Sequence, residues 1–169
     1  MIDGSKIKWP MLMTILTVLL LVIIPLTVSA EPTQEQAAIE SCSTVSAELK
    51  GIAIRKVDGK NIRSNITMVL NLELGEKQGN IRPIKSGQGT VTLDGTSYEV
   101  VEANGVIRLR RNVALLKLSC EGADSVTIIL ELRARYFWMG GNLYAVRGLG
   151  TLYGDESMRI VFRGKANIS

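Results

Sequence analysis

The residues best suited to chemistry lie between Glu131 and Tyr153, in ELRARYFWMGGNLYAVRGLGTLY. Arg133, Arg135 and Arg147 flank a Gly140-Gly141-Asn142 turn, with Phe137, Trp138, Tyr144 and Tyr153 close by. A guanidinium is a planar fork of N–H donors that suits carboxylate, sulfate or phosphate, and aromatic faces stack on sugar rings or on arginine. Alternation along this segment sends Arg133 and Arg135 outward, with Arg147 beside them and Arg163 on a following strand. The candidate binding face is therefore Arg133, Arg135, Trp138, Tyr144, Arg147 and Arg163. A plainer reading competes with it. Outward Lys and Arg also keep strands from pairing edge to edge, and Glu131, Asp155 and Glu156 could neutralise them across strands.

Other chemistry is sparse. The chain has no histidine, which removes the commonest general base and zinc ligand and any Ser-His-Asp or Cys-His arrangement. Its two cysteines are far apart, so no Cys-x-x-Cys metal site can form. Asp155-Glu156 is an adjacent acidic pair in a turn, without the facing partner that a glycosidase needs or the spaced ligands of a calcium loop. Gly148, Gly150 and Gly154 lie in a strand pattern and open no helix, which suits close packing better than phosphate. No metal site and no cofactor are expected, and catalysis is disfavoured. A carboxylate-dependent hydrolase is kept as an alternative.

The elements that would position these residues begin with an unusual N-terminus. Lys6 and Lys8 precede Met11–Ile24, an almost wholly apolar run, followed by Pro25 and the small residues Val28-Ser29-Ala30. This is the pattern of a secretory signal peptide, and residues 11–30 are also long enough for an uncleaved membrane anchor. Either way the remainder is expected outside the cytoplasm, as a secreted or an anchored chain. In that compartment Cys42 and Cys120 read as one disulfide, which the chain-entropy relation values at about 4.5 kcal/mol before strain. Asn65-Ile66-Thr67 is a glycosylation triplet, with Asn65 the candidate acceptor. The formal charge of +4 is mild, and no basic-aromatic RNA motif accompanies it, so nucleic acid is not an expected partner.

From Ser46 onward, period-two patterning dominates. Ile66, Met68, Leu70, Leu72 and Leu74 alternate with mostly polar residues, as do Val126, Ile128, Leu130, Leu132, Ala134 and Tyr136, and Met158, Ile160, Phe162, Gly164, Ala166 and Ile168. Asp58-Gly59, Asp94-Gly95 and Asn104-Gly105 read as tight turns. Nine strands follow, near 46–56, 64–74, 88–93, 96–102, 105–110, 113–119, 125–138, 143–153 and 158–168, with 75–89 as a long crossing loop. The expected fold class is all-β, a mostly antiparallel β-sandwich with a β-barrel as the alternative, preceded by the apolar export helix. The domain plan is 1–30 signal peptide or anchor, 31–45 polar lead-in, and 46–169 β domain. The implied role is a non-catalytic exported or cell-envelope module, binding an envelope polysaccharide or a protein partner or associating with itself. The other alternative is an accessory subunit of a larger complex, held in the membrane through residues 11–30.

Overall fold

In Lys60–Leu74 (β2), Ile66, Met68, Leu70, Leu72 and Leu74 are all buried, while Asn65, Val69, Asn71 and Glu73 between them are exposed. The strict alternation does this, because successive side chains on a strand leave opposite faces. The same rule builds Thr44–Val57 (β1), Ile81–Leu93 (β3), Thr96–Arg108 (β4), Val113–Gly122 (β5), Thr127–Gly140 (β6), Leu143–Tyr153 (β7) and Met158–Ile168 (β8). The structure, a computed structural model, describes residues 43–169. The signal or anchor segment, the polar lead-in up to residue 42, and Cys42 lie outside the described residues.

Each strand pairs antiparallel with the next, and β1 pairs with β8, so the sheet closes into an eight-stranded up-and-down barrel. The expected all-β antiparallel organisation is therefore present, but the sandwich is replaced by the alternative, a closed barrel. Closure uses nearly the whole length of β8, from Val45↔Ile168 to Ile54↔Arg159, and leaves no open sheet edge. The apolar faces turn into the lumen and the charged faces turn out, the reverse of a barrel that crosses a bilayer with its strands. No helix among the described residues is long and apolar enough to cross a membrane.

Three differences from the sequence reading have local causes. Asn104-Gly105 is not a turn but lies inside β4, where Gly105 allows the Leu115 carbonyl to approach to within 2.1 Å of where a Cβ would stand. A bulge between Val100 and Glu102 puts Val100 and Ala103 on the same inner face and leaves Val101 exposed, which breaks the period-two signal and makes one strand look like two. The crossing loop is also mostly strand, with only 75–80 between β2 and β3. Its inner face carries glycines at 87 and 89, with Leu72 and the Val69 carbonyl close against them, so it shows no apolar pattern.

Two ends can be distinguished. At the termini end lie 75–80, the 3-10 turn Leu109–Arg111, the 141–142 turn, Ser43 and Ser169. Backbone bonds tie this rim together: Ser43 N–H to the Ser169 carbonyl, Leu74 N–H to that of Ser43, Leu109 N–H to that of Asn80, and Tyr136 N–H to that of Asn112. At the turn end lie the 58–59, 94–95, 123–126 and 154–157 connections. Ala53, Ile66, Met68, Val91, Leu118, Leu130 and Ile160 fill the lumen with essentially no exposure. Each large apolar side chain buried there contributes about 1.5–3 kcal/mol, against at most about 1 kcal/mol for an exposed ion pair such as Arg55–Glu156. The lumen therefore holds the fold.

Candidate functional site

Strand register assembles the outer wall. Arg135 on β6 stands across from Arg147 on β7, Arg147 across from Arg163 on β8, and Arg163 across from Lys50 on β1. All four are exposed. Neighbouring strands lie about 4.8 Å apart, so this row of cations crosses about 15 Å of wall. The row holds no carboxylate, and none of its members is in an ion pair among the described residues, where the one such pair is Arg55–Glu156. Arg133 lies beside the row, across from Leu149, and Lys165 lies on its other side, across from Glu48. An open depression on this wall is lined by Arg133, Arg135, Arg147, Gly148, Leu149, Val161 and Phe162. The Arg147 guanidinium lies 4.7 Å from the centre of the Phe137 ring.

Four of the expected face residues, Arg133, Arg135, Arg147 and Arg163, thus share one wall. The other two do not. Tyr144 is buried, 2 % exposed, because its place on β7 turns it into the lumen, where its ring meets Tyr136 edge-on at 5.9 Å. Trp138 is exposed at the termini end rather than on the wall, with its indole N–H donating to the Gly141 carbonyl at 2.9 Å. Lys50 was missed. It lies more than eighty residues from Arg135 along the chain, and only closure of β1 on β8 brings it into the row.

The termini end has its own character. Phe137, Trp138 and Met139 are consecutive and all exposed, on the part of β6 that runs past its last pair with β5, Val113↔Arg135. Arg108, the last residue of β4, and Arg110 and Arg111 on the turn after it are exposed at the same end. The turn end is acidic by contrast, with Asp58, Asp94, Asp124, Asp155 and Glu156 in its turns.

Inside the lumen, toward the termini end, lies a cavity of about 90 Å³. Leu49, Leu72, Tyr136, Tyr144, Val146 and Phe162 are among the residues lining it, and they present no polar atom to it. Gly148 sits above the Phe162 ring, leaving it the room that a side chain would take.

The remaining sequence candidates are dispersed. Cys120 is a free, fully buried thiol on β5, and burial pushes it up to about 11. It lies near the turn end, roughly 23 Å along β5 from Val113 at the termini end, where Ser43 also sits. A disulfide needs Cα atoms within about 7 Å, so the expected Cys42–Cys120 bridge gains no support from this geometry. Asn65 is exposed, within β2 rather than at its start, and its backbone N–H donates to the Asp94 carboxylate at 2.7 Å. That carboxyl is held below the ordinary range by the Ser64 hydroxyl and then by the Asn65 N–H. Glu156 is paired with Arg55. Among the described residues no group of three or more Cys, Asp or Glu side chains is placed to hold a metal ion. No family model matches the chain, and no curated protein or solved structure is significantly similar to it.

Proposed function

We propose that this chain is a non-catalytic binding barrel of the cell envelope, and that it holds an acidic polysaccharide along Arg135, Arg147, Arg163 and Lys50. The row of cations without ion-pair partners among the described residues carries this reading. Like charges placed directly opposite one another on a sheet are destabilising, so four in succession are a cost that an anionic partner would offset. The wall is convex, so the side chains diverge and do not converge on one small anion. An extended polymer with repeated negative groups fits such an array, and the rigid barrel holds its donors in place. The export pattern of residues 1–30 supports meeting such a polymer outside the cell.

The test is retention on an immobilised acidic polysaccharide, comparing the native chain with a variant carrying K50Q, R135Q, R147Q and R163Q. Retention should require markedly less salt for elution in the variant, with an unchanged circular dichroism spectrum. Equal elution would remove the reading.

A second reading has its own observation, the wholly apolar cavity. An apolar cavity of about 150 Å³ stays dry and admits benzene or xenon, so one of about 90 Å³ has room for a smaller apolar molecule. In this reading the barrel also carries such a molecule. Stabilisation by xenon under pressure, abolished by Ala134→Leu, would support it, and no stabilisation would remove it.

A further inference from the structure

We propose that the termini end of the barrel docks on an anionic lipid surface, with Phe137, Trp138 and Met139 entering the interface and Arg108, Arg110 and Arg111 meeting the headgroups. Three consecutive large apolar side chains exposed on one strand end are unusual in a barrel whose other apolar residues mostly face the lumen. Tryptophan suits the boundary between headgroups and acyl chains, because its ring is apolar and its N–H polar. Here that N–H is already satisfied by the Gly141 carbonyl, so the ring can enter an apolar layer without stranding a donor.

Charge fixes which end faces the lipid. The three arginines lie at the aromatic tip's end, on the end of β4 and the turn after it, with Glu76 and Lys77 on the 75–80 connection, while the turns at the opposite end carry Asp58, Asp94, Asp124, Asp155 and Glu156. An anionic surface attracts the first end and repels the second. Connectivity agrees: the chain enters the barrel at Ser43, on the basic end. The stretch between Ala30 and Ser43 spans at most about 45 Å when extended, so an apolar run retained in a bilayer would hold this end within reach of the surface. Phe137 also lies against the Arg147 guanidinium of the wall, so Trp138 serves as the reporter, with Lys50, Arg135, Arg147 and Arg163 left unaltered.

The full chain with Trp9→Phe keeps Trp138 as its single tryptophan. It is combined with vesicles of phosphatidylcholine alone, or of phosphatidylcholine with phosphatidylglycerol, each carrying brominated acyl chains that quench only indoles within the bilayer. In the anionic vesicles, Trp138 emission should shift to the blue and lose most of its intensity. Adding R108Q, R110Q and R111Q should restore most of that intensity. These side chains are solvent-exposed, so the variant keeps its lumen intact, and circular dichroism checks this. Emission unmoved by brominated lipid, or quenched equally in neutral and anionic vesicles, would overturn the proposal.

Discussion

Arg147 stands directly across from Arg163 in the β7–β8 pairing, both exposed and neither in an ion pair among the described residues. With Arg135 and Lys50 on either side, repulsion accumulates along the row. Replacing Arg163 alone with Gln should therefore raise stability by roughly 0.2–1 kcal/mol at low salt, the gain shrinking as salt screens the charges, whereas Arg147→Gln also gives up the Phe137 ring contact, worth about 0.5–1 kcal/mol, and should gain less. Urea unfolding at two ionic strengths measures it. A loss of stability on Arg163→Gln would mean that its guanidinium is held by contacts the row does not reveal.

Gly164 on β8 packs so closely on β1 that a Cβ would stand 1.9 Å from the Glu48 carbonyl oxygen. Gly164→Ala must move the backbone of one strand at the β1–β8 seam, where the barrel closes. It should cost more than the few tenths of a kcal/mol typical of surface changes, about 1–3 kcal/mol by analogy with overpacked cores. Gly141→Ala, in open space at the turn, meets no neighbour and serves as the contrast, its cost coming from a φ of +55°. Thermal unfolding of the pair separates crowding from backbone strain.

Leu130 is fully buried in the packed part of the lumen. Leu130→Ala should cost about 2–5 kcal/mol, read from chemical unfolding. Ala134→Leu, placed beside the existing cavity, should cost little or stabilise, because there is space to fill. Equal losses at both positions would show that the lumen is uniformly packed.

Cys120 should resist alkylation until the chain unfolds, because its thiol is buried and raised to about 11. In a Cys42→Ser chain, one thiol per molecule should become reactive only in denaturant. In the native sequence unfolded without reductant, both thiols should react; if neither does, a disulfide is present. The raised value also fixes a pH dependence. The stability contributed by keeping this group neutral is complete below the ordinary thiol value of about 8.5, and is lost as pH rises toward about 11. Cys120→Ala should flatten that alkaline limb.

Asp94 predicts the opposite limb. Its carboxyl is lowered in the fold by Ser64 and the Asn65 N–H, so its contribution is complete above the ordinary carboxylate value of about 3.9. That contribution disappears as pH falls through the lowered value. Asp94→Asn should reduce the acid-dependent loss, as melting temperatures measured between neutral and strongly acidic pH would show. An unchanged acid limb would assign that loss to other carboxylates.

Much of this was legible in the residues themselves. The alternation in β2, β6 and β8 identified their inner faces, since period two is a local property of an extended chain. Arg133, Arg135, Arg147 and Arg163 were placed outward for the same reason. β7 and β8 were bounded correctly because tight turns with distinctive residues flank them. Where a bulge shifted the phase, at Val100–Glu102, or glycine occupied inner positions, at 87 and 89, the pattern was lost and β3 and β4 were misread.

The sequence by itself determined an all-β chain with inner and outer faces, no histidine chemistry, and a set of outward arginines. Only the tertiary structure decided that the sheet closes, because closure depends on pairing β1 with β8, more than a hundred residues apart, and on twist and stagger that no local pattern records. That closure brings Lys50 beside Arg163. The strand register turns Tyr144 into the lumen, and the strand ends place Phe137–Met139 with Arg108–Arg111 at one end of the barrel. Period and charge are carried residue by residue. Neighbourhood across strands is not, and the candidate sites of this protein are made of such neighbours.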